Sequence, residues 1–241
     1  MDTASELNKI EFPAGTDEHY RIAYKYFMHL LKERVRKDGM QFVFDEQCRQ
    51  PIAIFIAWAA KLEEHLQRLT DGKATCKKGI LLRGNVGSGK TVLFRTLRDI
   101  KMGTDYEMSG LFRGIILDKC EKIAKIYQAG GDKAIEEFTK GVIRSTDNRS
   151  GKSFRNYCFD DLGDEEVKNH YGNSREVMKD IINDRYEQFV DDGLISCFTT
   201  NLTMDEIEKR YDRRTRSRLE QMCNIIGMGT TENYIDRRRS A

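Results

Sequence analysis

The sequence predicts an α/β protein built on a parallel sheet with helices on both faces. Three observations carry that expectation. Apolar runs of strand length alternate with stretches of helical period from residue 75 onward, one run feeds a glycine-rich turn that opens a helix, and another ends in paired carboxylates. A chain of 241 residues with 39% hydrophobic content can bury the core this requires, as one large domain or as a domain with an appendage. Its 41 basic and 39 acidic residues leave a net charge of +2, so any nucleic-acid contact must come from local clusters rather than from the whole surface.

Residues 1–74 read as a helical extension and residues 75–241 as the α/β domain. The first dozen residues show no period. A helix is expected from Thr16, its cap, to Gly39, with Tyr20, Tyr24, Phe27, Leu31 and Val35 on one face and a basic end at Lys32, Arg34, Arg36 and Lys37. A second helix is expected from Asp45 to Thr70, tolerating Pro51 early and burying Phe55, Trp58, Leu62, Leu66 and Leu69. His65 reads as an exposed helical residue.

The strand Gly79–Leu82 follows, then the loop and a helix carrying Val92, Leu93, Leu97 and Ile100. Leu111–Leu117 reads as the second strand, with Asp118 capping a helix that stops at Gly130-Gly131, and a short helix over Lys133–Lys140 after it. Residues 147–152 are a polar turn. Asn156–Phe159 reads as the third strand, ending in Asp160-Asp161; a turn over Tyr171–Ser174 then leads to a helix with Val177, Ile181, Ile182 and Phe189 inward, closed at Gly193. Leu194–Thr199 is the fourth strand, and Thr203-Met204-Asp205-Glu206 is a capping box opening the next helix. An arginine-rich helix, a short apolar run from Cys223 to Ile226 and a basic tail finish the chain.

The chemistry sits at strand ends. Gly84-Asn85-Val86-Gly87-Ser88-Gly89-Lys90-Thr91 spells G-x-x-x-x-G-K-T between a strand and a helix, the setting in which backbone N–H groups and a helix N-terminus cradle phosphates. Lys90 would reach the outer phosphates, and the Thr91 hydroxyl would ligate the Mg2+ that accompanies a nucleoside triphosphate. Asp160 would hold Mg2+, and Asp161 would stand where a general base orients the attacking water. Asn201, after Thr199-Thr200, can sense the terminal phosphate, or simply end a strand by making a turn. Arg213, Arg214, Arg216 and Arg218 form a cluster that either faces solvent or supplies a guanidinium to a neighbouring subunit's phosphate.

In this order the motifs resemble the AAA+ ATPases of the initiator branch, over roughly residues 75–228. The closest likeness is to DnaC-type replicative helicase loaders and IstB-type transposition ATPases. The resemblance implies that Gly84–Thr91 is the Walker A loop, Asp160 and Asp161 are Walker B, Asn201 is sensor 1, and Arg218 is the arginine finger, with Arg214 a second candidate. It implies a five-stranded sheet of order 5-1-4-3-2, no C-terminal lid, ATP and Mg2+ as cofactors, and a homo-oligomer in which the finger completes a neighbour's site. The expected function is an ATPase acting as a helicase loader in DNA replication. A transposition helper and a nucleotide-gated binding module with little turnover are the alternatives. A replicative helicase or transposase is the expected partner; Lys119, Lys122, Lys125 and Lys133 either contact single-stranded DNA or form a solvated basic helix face. Asp161 departs from the usual Glu and reaches about 1.5 Å less far, one carbon–carbon bond, which predicts slow hydrolysis.

The six cysteines form no C-x-x-C pair, which argues against zinc, and none of the four histidines has a partner at metal-ligand spacing. Reduced thiols and no recognisable signal peptide point to the cytoplasm. The longest apolar run, Ile52–Ala60, is too short to span a bilayer.

Overall fold

Residues 17–40, 44–102, 106–139, 155–170 and 173–229 are described by the structure, a computed structural model. Thr16, the first dozen residues and the 147–152 turn lie outside them. The described residues fall into two compact units, one running to Cys76 and including Arg95–Gly114, the other comprising Lys77–Phe94 and the residues from Ile115 on.

The first unit is helical. Helix α1 (Asp17–Lys37) places Asp17 and Glu18 in its first turn and three basic residues in its last, which suits its dipole at both ends. Phe27, Leu31 and Val35 are buried as the period predicts, whereas Tyr20 and Tyr24 are only half-buried and Ile22, Ala23 and Met28 complete the stripe. The single helix expected over 45–70 is two: α2 (Glu46–Ala59), capped by the Asp45 side chain on the Cys48 N–H at 2.9 Å, and α3 (Glu63–Leu69). Lys61, at φ 60°, ends α2 in a Schellman-type turn in which Leu62 N–H donates to Ala57 O at 2.9 Å. Lysine is an unfavourable residue for that conformation, so no glycine marks the break.

His65, expected to be exposed, stacks on Tyr20 with ring centroids 3.6 Å apart and pairs with Asp17 at 3.3 Å. Phe27 packs between Phe55 and Phe112, at centroid distances of 5.7 and 6.0 Å.

Phe112 belongs to this unit, and that moves the second strand. Leu111 closes a short helix, α5 (Tyr106–Leu111), and β2 runs over Ile116–Lys119 instead of 111–117. Arg113 is the cause. Its N–H donates to Ala59 O at 2.8 Å, and its guanidinium donates to Trp58 O at 2.8 Å and Cys76 O at 2.7 Å, binding this stretch to α2 rather than to a strand. Asp118 therefore lies in β2, and the helix it is expected to cap begins at Cys120.

The second unit holds the sheet. Strands β1 (Gly79–Arg83), β2, β3 (Tyr157–Leu162), β6 (Ser196–Thr200) and β7 (Cys223–Gly227) pair in parallel in the order β2-β3-β6-β1-β7. Read from the other edge, this is the expected 5-1-4-3-2. Consecutive residues of β1, β3 and β6 are buried, as they must be when helices cover both faces. Helix α4 (Lys90–Met102) follows the loop, and α6 (Cys120–Thr139) kinks at Gly131, where the double glycine predicts a stop.

Between β3 and α7 (Val177–Asp192) lies an antiparallel hairpin of β4 (Lys168–His170) and β5 (Asn173–Arg175), where only a turn is expected. Helix α8 (Met204–Arg210) has the full capping box of Thr203 and Glu206, and α9 (Arg213–Met222) is capped by Asp212 on the Thr215 N–H at 2.7 Å. The rings of Tyr157, Phe159 and Phe198 stack through the sheet at 5.7 and 5.3 Å. Fully buried Arg185 lies over Tyr157 and Phe159 and donates to Ser196 Oγ at 2.7 Å; burial pushes its guanidinium down to about 10, so the charge persists at neutral pH. Cys120, Cys158, Cys197 and Cys223 are free thiols buried in this unit.

Candidate active site

Strand β1 ends beside β6, and the first loop residue is tied there: Gly84 N–H donates to Thr200 O at 3.1 Å. A Cβ on Gly84 would lie 2.0 Å from Met228 O, so only glycine lets the loop leave the sheet along this path. Gly87 and Gly89 take φ of 84° and 96°, and Ser88 N–H closes a turn on Asn85 O at 3.2 Å before α4 begins. Asn85 and Val86 form the exposed crest of the loop, and Ser88 is buried within it.

Lys90, 5% exposed, folds back into the loop. Its amine donates to Gly84 O at 2.7 Å, Asn85 O at 2.9 Å and Asn201 Oδ1 at 2.9 Å, with Ser88 Oγ at 3.4 Å. The amine thus joins the loop to the residue after β6. Thr91 Oγ donates to Asp160 Oδ1 at 2.8 Å, and Thr199 Oγ donates to the same oxygen at 2.7 Å. Asp160, 1% exposed, is aimed by two hydroxyls from two other elements.

The third strand is longer than expected and contains both carboxylates. A bulge in its pairing with β6 lies between Phe159 and Leu162, and Asp161 there has φ 61°. The bulge turns Asp161 outward, away from the buried side chain of its neighbour, while its N–H remains satisfied by Thr199 Oγ at 2.9 Å. Its carboxylate pairs with Lys119 Nζ at 3.6 Å, across from the end of β2. The sequence offers no sign of this pair, since Lys119 and Asp161 lie far apart along the chain and the lysine reads as part of a basic helix face. Asn201 also reaches Asp164 Oδ2, at 3.5 Å.

The structure thus brings together Gly84–Thr91, Asp160, Asp161 and Asn201. Arg218 is engaged elsewhere, on α9: its guanidinium donates to Asn183 Oδ1 at 2.7 Å and Glu187 Oε1 at 2.5 Å and lies 4.8 Å from the centre of the Tyr186 ring. It lines a groove of about 470 Å³ with Tyr186, Arg213, Arg214, Ser217 and Gln221, in which Arg213 and Arg214 are exposed. Lys122 and Lys125 pair with Asp118 and Glu121 one helical turn away, so that face of α6 is largely neutralised.

The oxygens suit a hard cation. Thr91 Oγ and Asp160 Oδ1 are adjacent, and among the described residues no group of three or more His, Cys, Asp or Glu could hold a metal by itself. That donor set fits Mg2+, which keeps several waters and shares its shell with phosphate oxygens, better than a structural metal. Among the described residues, no helix is long and apolar enough to cross a membrane.

No family model matches the chain, and no curated protein does either. Solved structures do. The DnaC helicase loader superposes at TM-score 0.49 and 18% identity, covering 78% of this chain and 93% of that one. DnaI superposes at TM-score 0.51 and 17% identity, covering 85% of this chain and 93% of that one. With the sheet order and the loop-to-helix geometry, the likeness to DnaI shows the fold: a five-stranded parallel sheet covered by helices, with a glycine-rich loop between β1 and α4.

Proposed function

We propose that this protein binds ATP with Mg2+, hydrolyses it slowly to ADP and phosphate, and uses the cycle as a loader of a replicative helicase. One contact carries the reading. The Thr91 hydroxyl on the Asp160 carboxylate, at 2.8 Å, joins two motifs 69 residues apart into one pair of hard oxygens beside the Lys90 amine.

In this reading the N–H groups of residues 84–91 and the N-terminus of α4 hold the phosphates, and Lys90 exchanges loop carbonyls for terminal phosphate oxygens. Mg2+ bound to Thr91 and Asp160 would neutralise phosphate charge. Asn201, released from Lys90, orients the terminal phosphate and the water, and Asp161 takes the proton of that water. The pairing of Asp161 with Lys119 holds the carboxylate toward the end of β2 and favours slow turnover; it also supports a second reading, a nucleotide-gated binding module.

Residues 1–74 are assigned to a helical extension and residues 75–241 to the ATPase domain. The domain self-assembles, with an arginine of α9 completing a neighbour's site. Arg214 is exposed and Arg218 is held by Asn183 and Glu187, which favours Arg214 for that reach. The six free cysteines support a reducing, cytoplasmic setting.

Phosphate release, measured with and without single-stranded DNA, tests the proposal. Release above the Lys90→Ala level and raised by DNA is expected. Nucleotide binding with no release under either condition leaves the gated module. Mixing Arg214→Ala or Arg218→Ala with Lys90→Ala protein restores activity for the arginine that acts between subunits. Retention of a hexameric helicase, rather than a transposase, on Asp161→Asn protein is expected for a loader.

A further inference from the structure

The turn that follows the carboxylate pair is held from below by a buried acid that the proposed chemistry does not use. Asp164 N–H donates to Asp161 O at 3.1 Å, and Gly163 N–H donates to Glu165 Oε2 at 2.9 Å. Gly163 has φ 99°, and a Cβ there would lie 2.4 Å from Leu202 Cδ1, so the turn packs directly on the residue after Asn201.

Glu165 is 2% exposed. Tyr211 Oη donates to its Oε1, and Arg210 donates to its backbone carbonyl and lies 3.5 Å from the same carboxylate oxygen. Burial pushes the carboxyl up, and the Tyr211 hydroxyl, backbone N–H groups and Arg210 pull it back. Tyr211 immediately precedes Asp212, the cap of α9. An unbroken series of polar contacts therefore runs from Lys90 to Asn201, from Asn201 to Asp164, along the turn to Glu165, and through Tyr211 to the helix that bears Arg213 and Arg214.

We propose that Glu165 and Tyr211 are positioning residues that transmit occupancy of the phosphate loop to the arginine helix α9. Asn201 is the switching member, because it holds Lys90 and Asp164 at once and must alter the first contact when Lys90 turns to a phosphate. A staple serving stability alone would need no polar group at this depth, where an unsatisfied carboxylate is costly and an apolar side chain would pack without that risk. The proposal rests on the nucleotide-binding reading above.

Hydrogen exchange with and without ATP and Mg2+ tests it, in the full chain and in Tyr211→Phe and Glu165→Gln. In the native chain, nucleotide is expected to slow exchange both in residues 84–91 and in residues 204–222, the latter by about tenfold, a coupling of ordinary size. Tyr211→Phe removes one hydroxyl; it should keep the effect at 84–91 and lose most of it at 204–222. Glu165→Gln keeps a side-chain oxygen that can accept from Tyr211, and it should transmit part of the effect. Full transmission in both variants overturns the relay while leaving the nucleotide site intact. No slowing at 84–91 in the native chain overturns the nucleotide reading and the relay with it. Should Tyr211→Phe fail to fold, Glu165→Gln decides by the same comparison: full transmission overturns the relay, and reduced transmission supports it.

Discussion

Asp161 holds a left-handed backbone, φ 61°, which costs an ordinary side chain roughly 1–2 kcal/mol and an aspartate less. Strain of that kind at a strand end is often tied to function. The sequence identifies the two carboxylates, because a strand ending in acids is a local pattern. It does not identify the Lys119 pair or the two hydroxyls on Asp160, because each joins elements that meet only through the sheet. Lys119→Ala is expected to raise phosphate release severalfold at low ionic strength, since it frees the Asp161 carboxylate from an ion pair at 3.6 Å and lets it turn toward a water. The gain should shrink as salt screens the native pair, which is partly exposed. An unchanged or lower rate in Lys119→Ala at low salt would remove the lysine from the account of slow turnover.

Among the elements, α8 and α9 show what capping chemistry makes legible. Thr203 to Glu206 is a short-range signal and forms as read. The end of α2 at Lys61 carries no glycine or proline, and the β4–β5 hairpin is polar on both strands, so neither shows in composition or period. Strand β2 begins five residues later than its apolar pattern suggests, because the bonds of Arg113 to α2 outweigh that pattern.

The Asp212 cap of α9 gives a pH test. Burial pushes its carboxyl up, but hydrogen bonds from Lys179 and the Thr215 N–H outweigh burial and hold it at about 2, below its ordinary 3.8. A carboxyl lowered on folding stabilises the fold above 3.8, and that contribution is lost as pH falls through about 2. The difference in melting temperature between the native chain and Asp212→Asn should therefore narrow steadily from pH 4 to pH 2. A constant difference would show that the carboxylate contributes nothing through its charge.

At the scale of the molecule, the alternation of strands and helices makes a parallel sheet legible, whereas its order comes only from the family resemblance that the strand-end motifs carry. The placement of residues 95–114 is not legible, because Phe112 is recruited by Phe27 of α1 and Arg113 by α2, through contacts made far along the chain. The interior of the second unit also contains a clock. Cys120, Cys158 and Cys197 are wholly buried and Cys223 is 3% exposed, and burial raises the thiols of Cys120, Cys158 and Cys223 well above their ordinary value, so a thiol reagent reaches the four only when the sheet opens. Their labelling rate then counts openings, and a ligand that binds only the closed form lowers the count in proportion to the fraction of protein left unliganded. At one hundred times its dissociation constant, ATP with Mg2+ should slow labelling of these four thiols about a hundredfold, while Lys90→Ala protein labels at one rate with or without nucleotide. The affinity of the loop can in this way be read from sulfur atoms that never touch it.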